Sequence, residues 1–179
     1  MFNWLIKVLH NPRSESYKQL KDFILSREFT WYWHDQSTLG SVLNGHVNIP
    51  FYAHTFLERP ENTNGLYPLP KSQLVENASL VFQEILKHNK VNYNCFLRMS
   101  VNCVESFSQK VKTGPHYDHD YIEHSNILIY LNDSDGDTIV EGERSIFKED
   151  KSILFQGEHY HITPSKKRRI VMVATFIWM

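Results

Sequence analysis

Five stretches in the second half of the chain decide the fold: NYNCFLRMSVNCVES (92–106), NILIYLND (126–133), DTIVEGERSIFKED (137–150), KSILFQG (151–157) and RRIVMVATFIW (168–178). Each is short, rich in β-branched and aromatic residues, and bounded by turn residues, which is the signature of strands. Many strands at such short intervals predict an antiparallel sandwich or barrel.

The first half reads differently. Leu74, Ala78, Val81, Phe82 and Ile85 recur at helical spacing, with Pro70 just ahead of the first turn, so 71–88 is predicted as a helix. A second helix is expected to begin near Ser14, a good N-cap, and to carry Tyr17, Leu20, Phe23 and Ile24 on one face. FTWYW (29–33) reads as a strand, and 47–58 as an extended segment interrupted by Pro50, hence an edge or a bend. Residues 59–70 hold three prolines and an Asn-Gly pair and read as a loop. Helices come first and strands after, so the helices are expected to pack on one outer face of the β-structure.

Composition bounds the function. The 179 residues suit one domain. Nineteen Lys and Arg stand against 20 Asp and Glu, so no global basic field exists to hold nucleic acid or an anionic membrane. Cys95 and Cys103, eight residues apart in a strand, lie roughly 26 Å apart when extended, too far for a disulfide. Reduced thiols, a short N-terminal apolar run and no long apolar segment predict a cytoplasmic protein.

Five of the ten histidines fall within 116–161: His116, His119, His124, His159 and His161. His116-Tyr117-Asp118 places an imidazole and a carboxylate on one face of a strand, where both can reach one ion. With ten histidines and 20 acids, about one such pair arises by chance, so the motif alone decides nothing. The order of what surrounds it carries more. Gly114-Pro115 precedes it; a Tyr130-Leu131-Asn132 strand, an Asp135-Gly136-Asp137-Thr138 turn, Phe155, His159-Tyr160-His161, Pro164 and Arg168-Arg169 follow.

In that ordered set the sequence resembles the Fe(II)- and 2-oxoglutarate-dependent dioxygenases, in particular their prolyl-hydroxylase-like branch, over 94–176. The resemblance implies a mainly β fold with supporting helices around a double-stranded β-helix (jelly-roll, cupin-like) core. It divides the single domain 1–179 into an N-terminal elaboration (1–92) and a metal-binding β-core (93–179). It implies His116, Asp118 and a distal histidine as metal ligands, with His161 preferred over His159 because it sits shortly before a proline. Arg169, preferred over Arg168, would hold 2-oxoglutarate bidentately through its planar fork. The tyrosine with which relatives often touch 2-oxoglutarate has no counterpart ahead of His116, and Asn102 or Tyr130 is the candidate substitute. The turn reads DGDT where many relatives have two glycines.

The implied cofactors are Fe(II), 2-oxoglutarate as co-substrate and O2, with ascorbate in support. The implied reaction hydroxylates a C–H bond and releases succinate and CO2. A small molecule or a peptide is the expected substrate, with neither membrane nor nucleic acid as partner. The 59–70 loop and Trp31-Tyr32-Trp33 either border a substrate cleft or form a surface loop and a core strand. His119 and His124 are expected to be exposed loop histidines, and Lys166, Lys167 and Arg168 a solvated turn. The alternative reading, a non-catalytic metal- or ligand-binding β-barrel, keeps the fold but would lose a ligand or the arginine; all are present here.

Overall fold

The computed structural model describes residues 5–35, 49–64 and 67–179. A large antiparallel sheet forms its centre. Along the chain come β1 (Ile6–Leu9), α1 (Glu15–Leu25), β2 (Tyr32–His34), β3 (Phe51–Glu58), β4 (Leu69–Pro70) and α2 (Val75–His88). The β-rich half adds β5 (Tyr93–Val104), β6 (Ser125–Tyr130), β7 (Thr138–Val140), β8 (Glu143–Ser145), β9 (Ser152–Phe155), β10 (His159–His161) and β11 (Arg169–Trp178). The large sheet runs β1-β9-β6-β11-β5-β3-β2, with β4 appended to β3; β10, β7 and β8 form a second sheet. This mainly β architecture with two helices matches the predicted jelly-roll class. The large sheet crosses the 92/93 division, since β1 pairs with β9 and β3 pairs with β5.

Strand alternation sorts the large sheet into two faces. On one face Val101, Ile127, Ile129, Met172, Ala174 and Phe176 join Tyr17, Leu20 and Ile24 of α1 and Ala78, Val81, Phe82, Ile85 and Leu86 of α2 in one buried cluster. On the other, Leu128, Tyr130, Phe155, Val171 and Val173 meet Val140 and Phe147 of the smaller sheet side. β11 is apolar nearly throughout because both of its faces are covered.

The helices follow the sequence with two local differences. Ser14 caps α1, its hydroxyl accepting the Tyr17 N–H at 3.3 Å, but Phe23 lies at the rim, 40% exposed, while Tyr17, Leu20 and Ile24 are buried. The α2 helix starts at Val75 rather than 71, because Pro70 is drawn into β4 opposite Leu57 and Ser72 accepts the Leu74 N–H at 3.1 Å. Of FTWYW only Tyr32 and Trp33 are in a strand, while Phe29 turns into the core. β3 is an interior strand between β2 and β5; Pro50 stands just ahead of it, where its missing N–H breaks no ladder bond. Within the predicted 59–70 loop, Pro60–Thr63 form a 3-10 turn that ends on Asn64 in the left-handed region. Residues 47, 48, 65 and 66 of these segments lie outside the described residues. Both thiols are free, Cys95 exposed and Cys103 buried. No helix among the described residues is long and apolar enough to cross a membrane.

Candidate functional site

The chain between β5 and β6 widens the smaller sheet. Residues 111–116 run antiparallel to β10: the Thr113 N–H donates to His161 O at 2.8 Å, and His116 and His159 exchange backbone hydrogen bonds of 2.9 and 3.0 Å. Two residues opposed in this way point their side chains to one face. His116 and His159 therefore converge, with ring centroids 4.4 Å apart. His161 shares that face by alternation, its centroid 5.3 Å from His159 and 5.9 Å from His116. The three imidazoles offer ligand atoms within 4.8 Å of one another. Asp118 joins them, its Oδ2 3.7 Å from His159 Nε2.

The hydrogen bonds assign the ring protons, since a carbonyl only accepts and a guanidinium only donates. His116 Nδ1 lies 3.0 Å from Gly114 O and carries the proton, leaving the Nε2 lone pair free. His159 Nδ1 faces Gly157 O at 3.5 Å, which leaves its Nε2 lone pair directed at Asp118. His161 differs. Its Nδ1 lies 3.2 Å from Arg169 Nη2 and accepts from it.

Arg169 occupies the floor. It is 3% exposed, its guanidinium 5.1 Å above the Phe147 ring, with Nε donating to Gly136 O at 3.1 Å and Nη2 to Thr138 Oγ1 at 3.2 Å. Arg168 is solvent-facing, as alternation requires, and Lys166 and Lys167 are exposed beside it. The DGDT turn serves this floor directly. A Cβ on Gly136 would meet Ile162 O at 2.8 Å, so only glycine fits. Asp137, between Gly136 and Thr138 of the turn, is buried and holds the Phe147 N–H at 2.8 Å and Arg144 Nε at 2.6 Å. It thereby fixes the ring beneath Arg169.

Electrostatics separates the groups. Burial alone would raise the Asp118 carboxyl, but the charges of Arg98, His159, His116 and Arg59 outweigh it and hold the group well below the usual carboxylate range. Burial pushes His159 down to about 4 despite Asp118, and pushes His161 well below its ordinary value, with Arg169 adding to the effect. Burial also lowers Arg169 to about 10. His159 is thus neutral and Asp118 ionised at pH 7, the protonation states in which these groups ligate a divalent metal.

A cavity of about 780 Å3 contains these groups. Its wall includes Asn102, whose buried Oδ1 has no partner among the described residues, and its rim includes His34, Phe51, Arg59, Glu61 and Asn62. The 59–70 loop therefore does border the cavity. Tyr32 and Trp33 instead stand exposed, while Trp31 packs against the core. Tyr130 is fully buried, its hydroxyl 3.1 Å from Thr138 Oγ1 and 3.3 Å from Ser145 Oγ. Thr138, by hydrogen bonds, and Phe147, stacked on the Tyr130 ring at 4.0 Å, both link it to Arg169.

Two features went unread in the sequence. Arg98 Nη1 lies 2.6 Å from Asp118 Oδ1, so one carboxylate oxygen is spent and the other faces the histidines. The signal existed: Arg98, Ser100 and Asn102 alternate with Met99, Val101 and Cys103. The second is a correction. His119 and His124 are not exposed; they are 4% and 7% exposed. His119 Nδ1 meets Glu61 at 2.6 Å and Nε2 meets Thr175 at 2.7 Å, while His124 packs edge-on against it. The chain after Asp118 turns inward because Glu61 and Arg59, which donates to Asp118 O at 2.8 Å, fasten it.

Donor chemistry and spacing fit a divalent transition metal. Two imidazoles and one carboxylate oxygen lie on one side of the cavity, the pattern of a 2-His-1-carboxylate centre.

No family model matches the chain, and no curated protein matches its sequence. Solved structures with the same fold include 2OG-Fe(II) oxygenases and prolyl hydroxylases. An oxidoreductase of the 2OG-Fe(II) oxygenase family from Burkholderia pseudomallei is 13% identical over 91% of this chain and 79% of its own, with a TM-score of 0.60. A Trichoplax adhaerens prolyl hydroxylase, in complex with a hypoxia inducible factor oxygen degradation domain peptide fragment, is 12% identical over 96% and 83%, with a TM-score of 0.58. A non-heme alpha-ketoglutarate-dependent epimerase from nogalamycin biosynthesis is 9% identical over 96% and 77%, with a TM-score of 0.57. At such identities the likeness establishes the fold.

Proposed function

We propose that this chain is an Fe(II)- and 2-oxoglutarate-dependent dioxygenase that hydroxylates a C–H bond, with His116, Asp118 and His159 as the metal ligands. One observation carries the reading: two free imidazole lone pairs and a free carboxylate oxygen converge in the cavity whose floor is Arg169. The fold shared with 2OG-Fe(II) oxygenases supports it. His159 takes the place first expected of His161, because it stands across from His116 and beside Asp118, while the Nδ1 lone pair of His161 is used by Arg169.

When bound, Fe(II) with 2-oxoglutarate supplies the oxidising chemistry, converting O2 and the co-substrate into succinate, CO2 and an oxidant for an unactivated C–H bond. The chain's part is placement. Arg98 holds Asp118 Oδ1, so that Oδ2 alone is offered to the metal. Gly114 O and Gly157 O orient the His116 and His159 rings. Arg169, seated on Phe147 and fixed by Gly136 and Thr138, offers its remaining donors to the far carboxylate of the co-substrate. The acceptor is a small molecule or a peptide side chain entering past Arg59, Glu61 and Phe51; the cavity volume is in the range of small-ligand sites.

Turnover with Fe(II), ascorbate and 2-oxoglutarate, measuring succinate against pools of amino acids, peptides and nucleosides, tests the reading. Succinate should form in the wild type and vanish in Asp118→Ala. Metal binding without succinate in any pool would leave a non-catalytic metal-binding barrel.

A further inference from the structure

We propose that Arg59 and Arg98 form an anion subsite for the substrate whose C–H bond is oxidised, so that this substrate carries a carboxylate or phosphate at the end remote from the reacting carbon. The inference rests on the reading of the metal site given above and adds the chemical class of the acceptor. Both side chains line the cavity and both are fastened to Asp118. Arg98 Nη1 donates to Asp118 Oδ1 at 2.6 Å, and Arg59 Nη1 donates to the Asp118 backbone O at 2.8 Å. Two guanidiniums that share one residue stand close together. Burial, and after it the charge of Arg59, push Arg98 below its ordinary value.

Most of their hydrogen-bonding capacity is unspent. A guanidinium carries five N–H donors, and each of these two makes a single hydrogen bond among the described residues. No nitrogen of either group is both fully buried and unpartnered, so the idle donors face accessible space. For Arg98, whose side chain is 16% exposed, that space is the cavity. Counter-charge is short as well. Among the described residues Asp118 is the only one whose carboxylate comes within 4.0 Å of either guanidinium, and it meets Arg98 alone. Residues 1–4, 36–48 and 65–66 contain neither Asp nor Glu. Glu58 acts on Arg98 from beyond that distance, its Oε1 taken by the Arg59 N–H at 3.1 Å and by Asn62 Nδ2 at 2.8 Å. Glu61 is taken by His119.

Two planar cations with spare forked donors and one carboxylate between them suit an oxyanion, which the fork holds bidentately. Asp118 sets where that anion lies. Its Oδ1 meets Arg98, while its Oδ2 lies 3.7 Å from His159 Nε2. A substrate held by the arginines must reach past Asp118 to bring a C–H bond to the histidine side, so its anionic end is not the part oxidised. Arg169 shares no hydrogen-bond partner with this pair, since it bonds Gly136, Thr138 and His161. The cavity thus has two cationic stations, one for the co-substrate and one for the substrate. The Phe51 and His34 rings, stacked with centroids 4.9 Å apart at the rim, add a surface for an aromatic or hydrocarbon body.

Binding with Co(II) in place of Fe(II) tests this without turnover. Co(II) is titrated by its visible absorption, and the protein is then saturated with N-oxalylglycine, a non-reacting analogue of 2-oxoglutarate. Benzoate, phenyl phosphate and neutral benzamide are titrated next, read by the arginine Nε–H resonances, which Arg59→Gln and Arg98→Gln assign. At least one anion should bind and move the Arg59 and Arg98 signals, the tighter one showing whether carboxylate or phosphate is preferred, while benzamide should move neither. Arg59→Gln should weaken the anion about tenfold or more, the effect of lost hydrogen bonds between charged groups, and leave Co(II) affinity nearly unchanged. Arg98→Gln should weaken both, because it also releases Asp118 Oδ1. In the succinate assay, acids should support turnover and their primary amides should be about tenfold poorer or worse. If benzamide binds as well as benzoate, or if no anion moves the two signals, the proposal falls. If Arg59→Gln lowers Co(II) and anion affinity in step, Arg59 acts only through Asp118 and the subsite falls. If the wild type binds no Co(II), the reading of the metal site fails; anion binding to the metal-free chain that Arg59→Gln weakens would still uphold the subsite, and its absence would remove both. Circular dichroism separates loss of binding from loss of fold, and Arg59→Lys, which keeps the charge without the fork, should bind the anion with intermediate affinity should the Gln variant not fold.

Discussion

The two faces of the large sheet are built to opposite rules. Toward the helices, Val101, Ile127, Ile129, Met172, Ala174 and Phe176 close an apolar cluster with α1 and α2. Toward the cavity, the same strands present Arg98, Ser100, Asn102, Asn126, Arg169 and Thr175. Buried polar groups normally find partners. On the cavity face Ser100 Oγ, Asn102 Oδ1 and both amide atoms of Asn126 have none among the described residues, while on the helix face Ser152 is the counterpart. One face supplies the stability that lets the other keep unpaired polar atoms and neutral, buried histidines. The difference separates a face that stabilises the fold from one that holds polar groups beside the cavity.

The strongest way to break this comparison is Phe176→Ala. Phe176 is fully buried on the helix face, so the variant should lose about 3–5 kcal/mol by urea denaturation. Its folded fraction should bind Co(II) unchanged. A parallel loss of metal affinity would show that the faces are not separable.

Acid probes the cavity face next. His159 has a folded pKa of about 4 against an ordinary value of 6.5. The unfolded chain therefore takes up its proton first as pH falls. The stability this group contributes is complete above pH 6.5 and is lost on going down to about pH 4, by roughly 3 kcal/mol. Urea midpoints of the metal-free chain across that window check it, and His159→Leu should flatten the profile. An unchanged slope in that variant would place the acid-sensitive group elsewhere.

Ser14→Ala removes the cap of the helix that covers the apolar face and should cost about 1 kcal/mol. N-oxalylglycine affinity is the control and should not move. The smallest effect should have the opposite sign. Ser100→Ala deletes a buried hydroxyl without a partner among the described residues, and should leave stability equal or raise it by up to about 1 kcal/mol. A clear loss would show that the hydroxyl has a bridging water.

Much of this was legible in order and period. The strand rhythm from 92 to 178 predicted the sheets, and Ala78, Val81, Phe82 and Ile85 predicted the face that α2 buries. Alternation made it legible that one of Arg168 and Arg169 faces inward; the resemblance preferred Arg169, and Arg169 is buried while Arg168 faces solvent. Less legible was Arg98, hidden in a strand far from the histidines in sequence. His119 and His124 were misplaced because nothing local says that Glu61, 58 residues earlier, would bond His119 and fold the segment inward.

The choice between His159 and His161 marks the boundary. Sequence alone determined that both lie on one face of one short strand, since the side-chain period there is two. It also determined that an arginine and a carboxylate would be available to them. Which histidine meets which partner was decided only by the tertiary structure. The register of 111–116 against β10 sets His116 opposite His159, and the packing of Arg169 on Phe147 brings its guanidinium to His161 Nδ1. Register between strands joined through other elements depends on the whole sheet, and a ring's tautomer depends on the partner that reaches it. Neither quantity is written in the three-residue string that holds the two histidines.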